Sequence, residues 1–140
     1  MPLPKDDPDF PLRVVLVEDH AAYREQLTWR LEELPGVRIV HTTERRNDAV
    51  DWLQAHPDGW DLAVLDIFLA EGHGFQVLRA CTDRAEHQHV VFLTSYTRDP
   101  ARGQALALGA DAVFSKLELD AFLAYVQQRR EEAPAHAGQP

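Results

Sequence analysis

The stretch "RVVLVEDH", residues 13–20, runs four apolar residues directly into two carboxylates. A continuous apolar run bounded by polar residues is typical of a strand buried on both faces, as in a parallel sheet. Two adjacent acids at its end, Glu18 and Asp19, repel each other and are costly there without a counter-charge. Either the strand simply reaches solvent at Glu18, or a cation lies above that edge of the sheet.

Composition limits the classes of function open to this chain. Its 140 residues make one domain, and a hydrophobic content of 45% is enough for a real core. The net charge of −9 argues against nucleic-acid binding, because no basic cluster offsets phosphate repulsion. A single cysteine, Cys81, excludes an internal disulfide framework and favours a reducing cytoplasm. No apolar run approaches the length of a membrane span, and the amino terminus has no signal-peptide core.

Strand and helix patterns alternate between two irregular ends. Proline-rich residues 1–12 predict an irregular lead-in, and residues 131–140 predict a flexible tail or linker. The strand candidates between them are residues 13–18, 37–42, 61–66, 89–94 and 112–115. Helical spacing of apolar residues follows each of them, which predicts an α/β domain with a parallel sheet and helices on both faces.

Chemically active side chains stand where these strands end. In such sheets the ligand site lies beyond the carboxyl ends of the strands. The first strand ends at Glu18 and Asp19, the third at Asp66, the fourth at Thr94 and the fifth at Lys116. Carboxylate oxygens suit a hard divalent ion such as Mg²⁺, which with the lysine would neutralise the acids. A carboxylate beside such a metal can attack a phosphoryl group in line, while a hydroxyl and an ammonium hold the transferred oxygens.

This set of residues, in this order, resembles the receiver domain of two-component response regulators across residues 13–130. Gly74 lies eight residues after Asp66, and Lys116 lies 22 residues after Thr94, as in that family. Each motif alone is weak, but five motifs at compatible spacings are strong. The matching stretches are "VEDH", "AVLDIFLAEGHGFQVL", which contains both Asp66 and Gly74, "VFLTSY" and "GADAVFSK".

The resemblance implies a flavodoxin-like (βα)5 fold, a doubly wound parallel sheet of strand order 2-1-3-4-5. It implies that Asp66 and Asp19 ligate Mg²⁺ directly, that Glu18 acts largely through a bound water, and that the Phe68 backbone carbonyl supplies a further ligand.

The same resemblance assigns the phosphoryl chemistry and the partners. Asp66 is the expected phosphoacceptor, Thr94 bonds the phosphoryl group, and Lys116 pairs with a phosphoryl oxygen. The donor is a sensor histidine kinase or a histidine phosphotransfer protein, and the domain catalyses only its own phosphorylation and dephosphorylation. A homodimer through helix 4, strand 5 and helix 5 is a further expectation. Its candidate charges are Arg98, Asp99, Arg102, Glu118 and Asp120.

Several positions depart from the family pattern. Ala70 and Leu117 stand where proline is common, and Val113 stands where the family often has the aromatic ring that swings inward with the threonine. Phe114 alternates to the opposite face of its strand, so signalling is expected to run through the loop after Thr94 instead.

Phe68 and Tyr96, both bulky, flank the expected path of the attacking water, which predicts slow self-dephosphorylation.

Other interpretations stand beside these. A pseudo-receiver, a binding module that no longer takes phosphate, is the main alternative, kept open by Val113 and Leu117. A haloacid-dehalogenase-type hydrolase requires a second aspartate where Phe68 stands. The chain is either a stand-alone receiver or the first part of a longer regulator.

Some conspicuous residues are expected to be structural. His20 is expected to start the first helix, and Cys81 to pack in a helix. The three tryptophans are expected to be partly buried, and "RREE" at 129–132 to be a solvated helix end.

Overall fold

The computed structural model describes residues 11–132; residues 1–10 and 133–140, which hold most of the expected lead-in and tail, lie outside the described part. Strands and helices alternate as the sequence predicts. The strands are β1 (Leu12–Val17), β2 (Val37–Thr43), β3 (Leu62–Leu65), β4 (His89–Thr94) and β5 (Ala112–Ser115). The helices are α1 (Ala21–Glu32), α2 (Arg46–Ala55), α3 (Gly74–Arg79), α4 (Ala101–Ala107) and α5 (Leu119–Glu132).

The five strands form one parallel sheet in the order β2-β1-β3-β4-β5. This confirms the doubly wound, flavodoxin-like topology. β1 pairs with β3 from Val14↔Leu62 to Val17↔Leu65, so the two strands end side by side. The residues after β1, β3, β4 and β5 therefore meet at the same edge of the sheet. Within residues 11–132, no helix is both long and apolar enough to span a bilayer.

The apolar run of β1 is explained by its place in the middle of the sheet. Val14 and Leu16 pack into the layer formed with α1 and α5, whereas Val15 and Val17 pack into the layer formed with α2, α3 and α4. Both faces of the strand are thus covered, and all four valine and leucine side chains are buried. Cys81 is buried too, although it lies in the turn after α3 rather than in a helix. Burial raises the pKa of its thiol to about 11.

Two further expectations, for Trp29 and Arg130, are wrong, and Trp60 is fully rather than partly buried, at 2% exposure. Trp29 is 70% exposed, because Leu27 and Leu31 define the buried face of α1 and Trp29 lies on the other side of the helix. Arg130 is 4% exposed, because it continues the inward stripe of α5 four residues after Val126. Its Nε donates to the Gly36 carbonyl at 3.1 Å, so this part of the "RREE" run is not solvated.

The turn that holds Asp66 in place depends on a close approach at Gly74. The Gly74 amide donates to the Ile67 carbonyl at 2.7 Å, which brings the start of α3 over the end of β3. A Cβ at position 74 would lie 2.1 Å from the Asp66 carbonyl oxygen and 2.8 Å from the Phe92 ring. Only glycine fits without moving the backbone of the residue expected to be the phosphoacceptor.

We therefore expect Gly74→Ala to lower the free energy of unfolding by about 3 kcal/mol, as for severe overpacking of a rigid site. Urea unfolding followed by circular dichroism measures the change. Gly103→Ala in α4 is the matched control: its Cβ meets only the exposed Asp99 carboxylate, at 3.2 Å. The control is expected to be neutral or slightly stabilising, because alanine favours helix. Equal stability of the two variants would contradict the close approach.

Candidate functional site

Three carboxylates converge at the carboxyl edge of the sheet. Glu18 and Asp19 follow β1 and Asp66 follows β3, and each offers an oxygen within 4.8 Å of the others. Glu18 and Asp66 are buried, at 2% and 6% exposure, whereas Asp19 is partly exposed. The structure thus brings together the three acids that the strand ends predict.

Lys116 bridges the two buried acids. Its Nζ lies 2.6 Å from a Glu18 carboxylate oxygen and 2.8 Å from a carboxylate oxygen of Asp66. The backbone places it there, since the Lys116 amide donates to the Thr94 carbonyl at 3.0 Å and so extends the pairing of β4 with β5. Of the two interpretations of "VVLVED", the structure supports the second: a cation does lie above this edge.

The remaining carboxylate oxygens are held by backbone amides. The His20 amide donates to Glu18 Oε2 at 3.0 Å, and the Ile67 amide donates to Asp66 Oδ1 at 2.7 Å. Arg24 donates from its guanidinium to the Glu18 carbonyl at 2.7 Å. Each buried acid therefore has a defined orientation, which lowers the reorganisation required when a ligand binds.

Burial and ion pairing shift the pKa values of the site residues in opposite directions. Desolvation raises the pKa of Glu18 despite its hydrogen bond with Lys116. For Lys116 desolvation acts to lower the pKa, but the bonds with Asp66 and Glu18 outweigh it and the pKa is raised. One ammonium against three carboxylates leaves a net negative edge. An oxygen-only donor set with excess negative charge fits a hard divalent cation.

Thr94 is completely buried at the end of β4, and its hydroxyl oxygen accepts a hydrogen bond from the Tyr96 amide at 3.1 Å. In this arrangement the hydroxyl oxygen already has a hydrogen bond with the loop that follows β4. Val113 and Phe114 lie on opposite faces of β5, as expected: Val113 joins the layer with α4, and Phe114 packs on Phe122 of α5. No aromatic ring therefore stands at position 113 to follow a movement of Thr94.

Phe68 and Tyr96 form an aromatic pair beside the acids. Their rings are in edge-to-face contact with centroids 4.5 Å apart, and both side chains are about half exposed. Phe68 lies in the loop between β3 and α3 and Tyr96 in the loop after β4, so the pair joins two loops that border Asp66. The two residues that are expected to flank the path of the attacking water are thus in direct contact with each other.

Sequence reasoning missed one residue of the site. Tyr23 in α1 has the spacing of a core residue, four positions before Leu27, yet the Lys116 ammonium lies over its ring, 4.6 Å from the centroid. A signal was present: Tyr23 lies four residues after Asp19, which places it in the first turn of the helix that begins at the acidic edge.

A five-stranded parallel sheet of this order, with clustered acids and a lysine at its carboxyl edge, defines the class of receiver-like α/β domains. A family model described as "Response regulator receiver domain" matches residues 14–127. The chain belongs to this family, the receiver domains of two-component response regulators.

Individual relatives agree with the family. The chain is 28% identical to the Fimbriae Z protein of Salmonella typhimurium, over 76% of this chain and 50% of that protein. It is 37% identical to a protein-glutamate methylesterase/protein-glutamine glutaminase of Symbiobacterium thermophilum, over 71% of this chain and 27% of that protein. The chain thus spans half or less of the length of these curated relatives.

A solved structure gives the same fold. The chain is similar to the crystal structure of the CheX-CheY-BeF3-Mg+2 complex from Borrelia burgdorferi, with a TM-score of 0.72 and 25% identity. The similarity covers 86% of this chain and 87% of that one.

The unbalanced charge of the edge leads to a prediction about stability. In buffer with a metal chelator, Asp19→Asn is expected to raise the free energy of unfolding by about 1 kcal/mol, because it relieves repulsion at a partly exposed position. Lys116→Met is expected to lower it by about 3 kcal/mol, because Glu18 and Asp66 lose their shared partner.

Urea unfolding measures both changes. Asp83→Asn, the same substitution at an exposed position after α3, is the control and is expected to be neutral. An Asp19→Asn protein less stable than wild type would show that the cluster is not repulsive.

Proposed function

We propose that this receiver domain accepts a phosphoryl group on Asp66 from a sensor histidine kinase or a histidine phosphotransfer protein. The observation that carries the proposal is the position of Asp66: it is buried at the end of β3, oriented by the Ile67 amide, and paired with Lys116 at 2.8 Å. A nucleophilic carboxylate, a neutralising cation and further acids at one edge are the parts that phosphoryl transfer to a carboxylate needs.

The acids would hold Mg²⁺, with Asp19 and Asp66 as direct ligands, Glu18 through water, and the Phe68 carbonyl as a further ligand. Bound there, the metal would neutralise charge on the transferred group. The three acids fit this role, since their oxygens lie within 4.8 Å of one another. The partial exposure of Asp19 leaves it open to such a ligand. The CheX-CheY-BeF3-Mg+2 complex from Borrelia burgdorferi, whose structure this chain resembles, contains Mg²⁺, which supports a metal at this edge.

In the transfer, a carboxylate oxygen of Asp66 attacks the phosphorus of a phosphohistidine in line with the P–N bond. The O–P bond forms as the P–N bond breaks, and the electron pair leaves on the imidazole nitrogen of the donor. Lys116 exchanges its contact with Asp66 for a phosphoryl oxygen. The Thr94 hydroxyl donates a hydrogen bond to another phosphoryl oxygen. Because its oxygen also accepts from the Tyr96 amide, movement of Thr94 towards the phosphoryl group would move the loop after β4.

This loop movement is the proposed output. Because Val113 cannot follow Thr94 as an aromatic ring would, the change reaches the face of α4, β5 and α5 through the backbone after Thr94.

Three of the five candidate dimer charges already have partners within the chain. Asp99 accepts from the Gly103 amide, Arg102 donates to the Val113 carbonyl, and Glu118 accepts from the Ser115 amide. A homodimer through this face would have to use or replace these contacts.

The negative charge of the chain supports a partner that is a protein rather than nucleic acid. We also place the domain in the cytoplasm, where histidine kinases present their phosphoryl groups and where the free thiol of Cys81 stays reduced.

Incubation with acetyl phosphate and Mg²⁺ is expected to add one phosphoryl group to the wild-type chain, measured by intact mass. Asp66→Asn is expected to stay unmodified, because an amide cannot form the acyl phosphate. Asp83→Asn is the matched control and should be modified as wild type. Modification of Asp66→Asn would place the acceptor elsewhere. A folded wild-type chain that stays unmodified by both acetyl phosphate and a histidine kinase would favour the pseudo-receiver.

The phosphorylated chain is expected to lose its phosphoryl group slowly, with a half-life of many minutes, because the paired rings of Phe68 and Tyr96 restrict the approach of water. Phe68→Ala should shorten the half-life about tenfold, which corresponds to a barrier lower by about 1.4 kcal/mol. The decay is followed by intact mass after removal of the donor.

Leu106→Ala is the control for this measurement. Leu106 is 43% exposed, close to the 46% of Phe68, but lies in α4 towards the opposite edge of the sheet. Its half-life should equal that of wild type. A wild-type half-life of seconds would be incompatible with restricted water access.

A further inference from the structure

Tyr23 is the one aromatic residue that the described structure places against the site's ammonium group. The Lys116 Nζ lies 4.6 Å from the Tyr23 ring centroid, within the range of a cation–π interaction. The ring is held from behind, because Tyr23 packs against the core layer of α1 and α5. Its backbone is held as well, since the Tyr23 amide donates to Nδ1 of His20, the N-cap residue of α1, at 3.2 Å.

The ring, rather than the hydroxyl, makes this contact. The Tyr23 hydroxyl is buried, and among the described residues it has no hydrogen-bond partner. A buried hydroxyl without a partner costs free energy, so it does not explain why a large side chain is held there. The face of the ring has a partner in Lys116, and a phenylalanine would offer the same face.

The contact differs from the other two contacts of the lysine in one respect. Glu18 and Asp66 hold the ammonium at 2.6 and 2.8 Å through their charges. Those charges would change when Asp66 becomes an acyl phosphate and when a cation binds the acids. The Tyr23 ring is neutral in every state of the site, so its attraction for the ammonium persists while the acids exchange partners. It therefore suits the task of keeping a flexible lysine at the place where phosphoryl oxygens arrive.

We propose that Tyr23 is a positioning residue for phosphoryl transfer, whose ring holds the Lys116 ammonium at the acidic edge while Asp66 is modified. The inference rests on the proposed function, because it assigns a role in the same reaction. Tyr23 touches neither the phosphoryl group nor Asp66, and it acts through Lys116.

The rate of phosphorylation by acetyl phosphate at saturating Mg²⁺, followed by intact mass, tests the role. Tyr23→Phe is expected to react within twofold of wild type. Tyr23→Leu, which keeps an apolar side chain but has no ring, is expected to react about fivefold more slowly. Leu27→Val is the matched control, because it loosens the packing of α1 one turn further along without removing the ring. Its rate should stay within twofold of wild type.

Each other result would overturn the proposal. A wild-type rate in Tyr23→Leu would show that the lysine needs no ring. An equally slow Tyr23→Phe would assign the effect to the hydroxyl. An equally slow Leu27→Val would assign it to the packing of α1.

A double-mutant cycle in the unphosphorylated protein tests the contact apart from the reaction. Tyr23→Leu, Lys116→Met and the double variant are unfolded in urea. The two single effects on the unfolding equilibrium constant are expected to be coupled by about fivefold. Independent effects would overturn the ring–ammonium contact even if phosphorylation proceeds. Coupled effects in a chain that never takes phosphate would keep the contact but overturn both the proposed function and the role in transfer.

Discussion

The shared ammonium of Lys116 is the interaction on which the acidic edge depends. Parallel strands that end side by side bring Glu18 and Asp66 together, and burial makes each carboxylate costly. Lys116 compensates both at once because β5 ends on the same side of the sheet, next to Thr94. The fold and the site thus depend on each other. The strand order brings the two carboxylates close enough to repel, and the lysine that follows the last strand offsets their charge.

The fold and the polar part of the site could be predicted from the sequence for a physical reason. A short run of mainly apolar residues defines each strand, and in a parallel sheet the polar residues that follow the strands lie at one edge. Glu18, Asp66 and Lys116 are all such strand-end residues. The β1 bounds shifted by one residue, to Leu12–Val17, because the Leu12 amide already donates to the Gly36 carbonyl.

The sequence did not predict which residues the long side chains contact. Arg130 follows a solvent-like run of charges, but its position on the inward stripe of α5 carries it to Gly36. Tyr23 has the spacing of a core residue, but its ring also contacts Lys116, which lies after β5 and is distant in the chain. Trp29 has a core-forming side chain on the outer face of a helix. Local periodicity defines faces and ends of elements, but it does not define contacts between residues distant in the chain.

The edge-to-face pair of Phe68 and Tyr96 has a consequence for timing. In a receiver domain the lifetime of the modified state determines the interval over which incoming signals are averaged. Under the proposed function, rings that restrict water would lengthen this interval, so that brief changes of a stimulus would be averaged out and sustained changes would be registered. The size of these two side chains would thereby set how quickly the modified state follows a change in its stimulus.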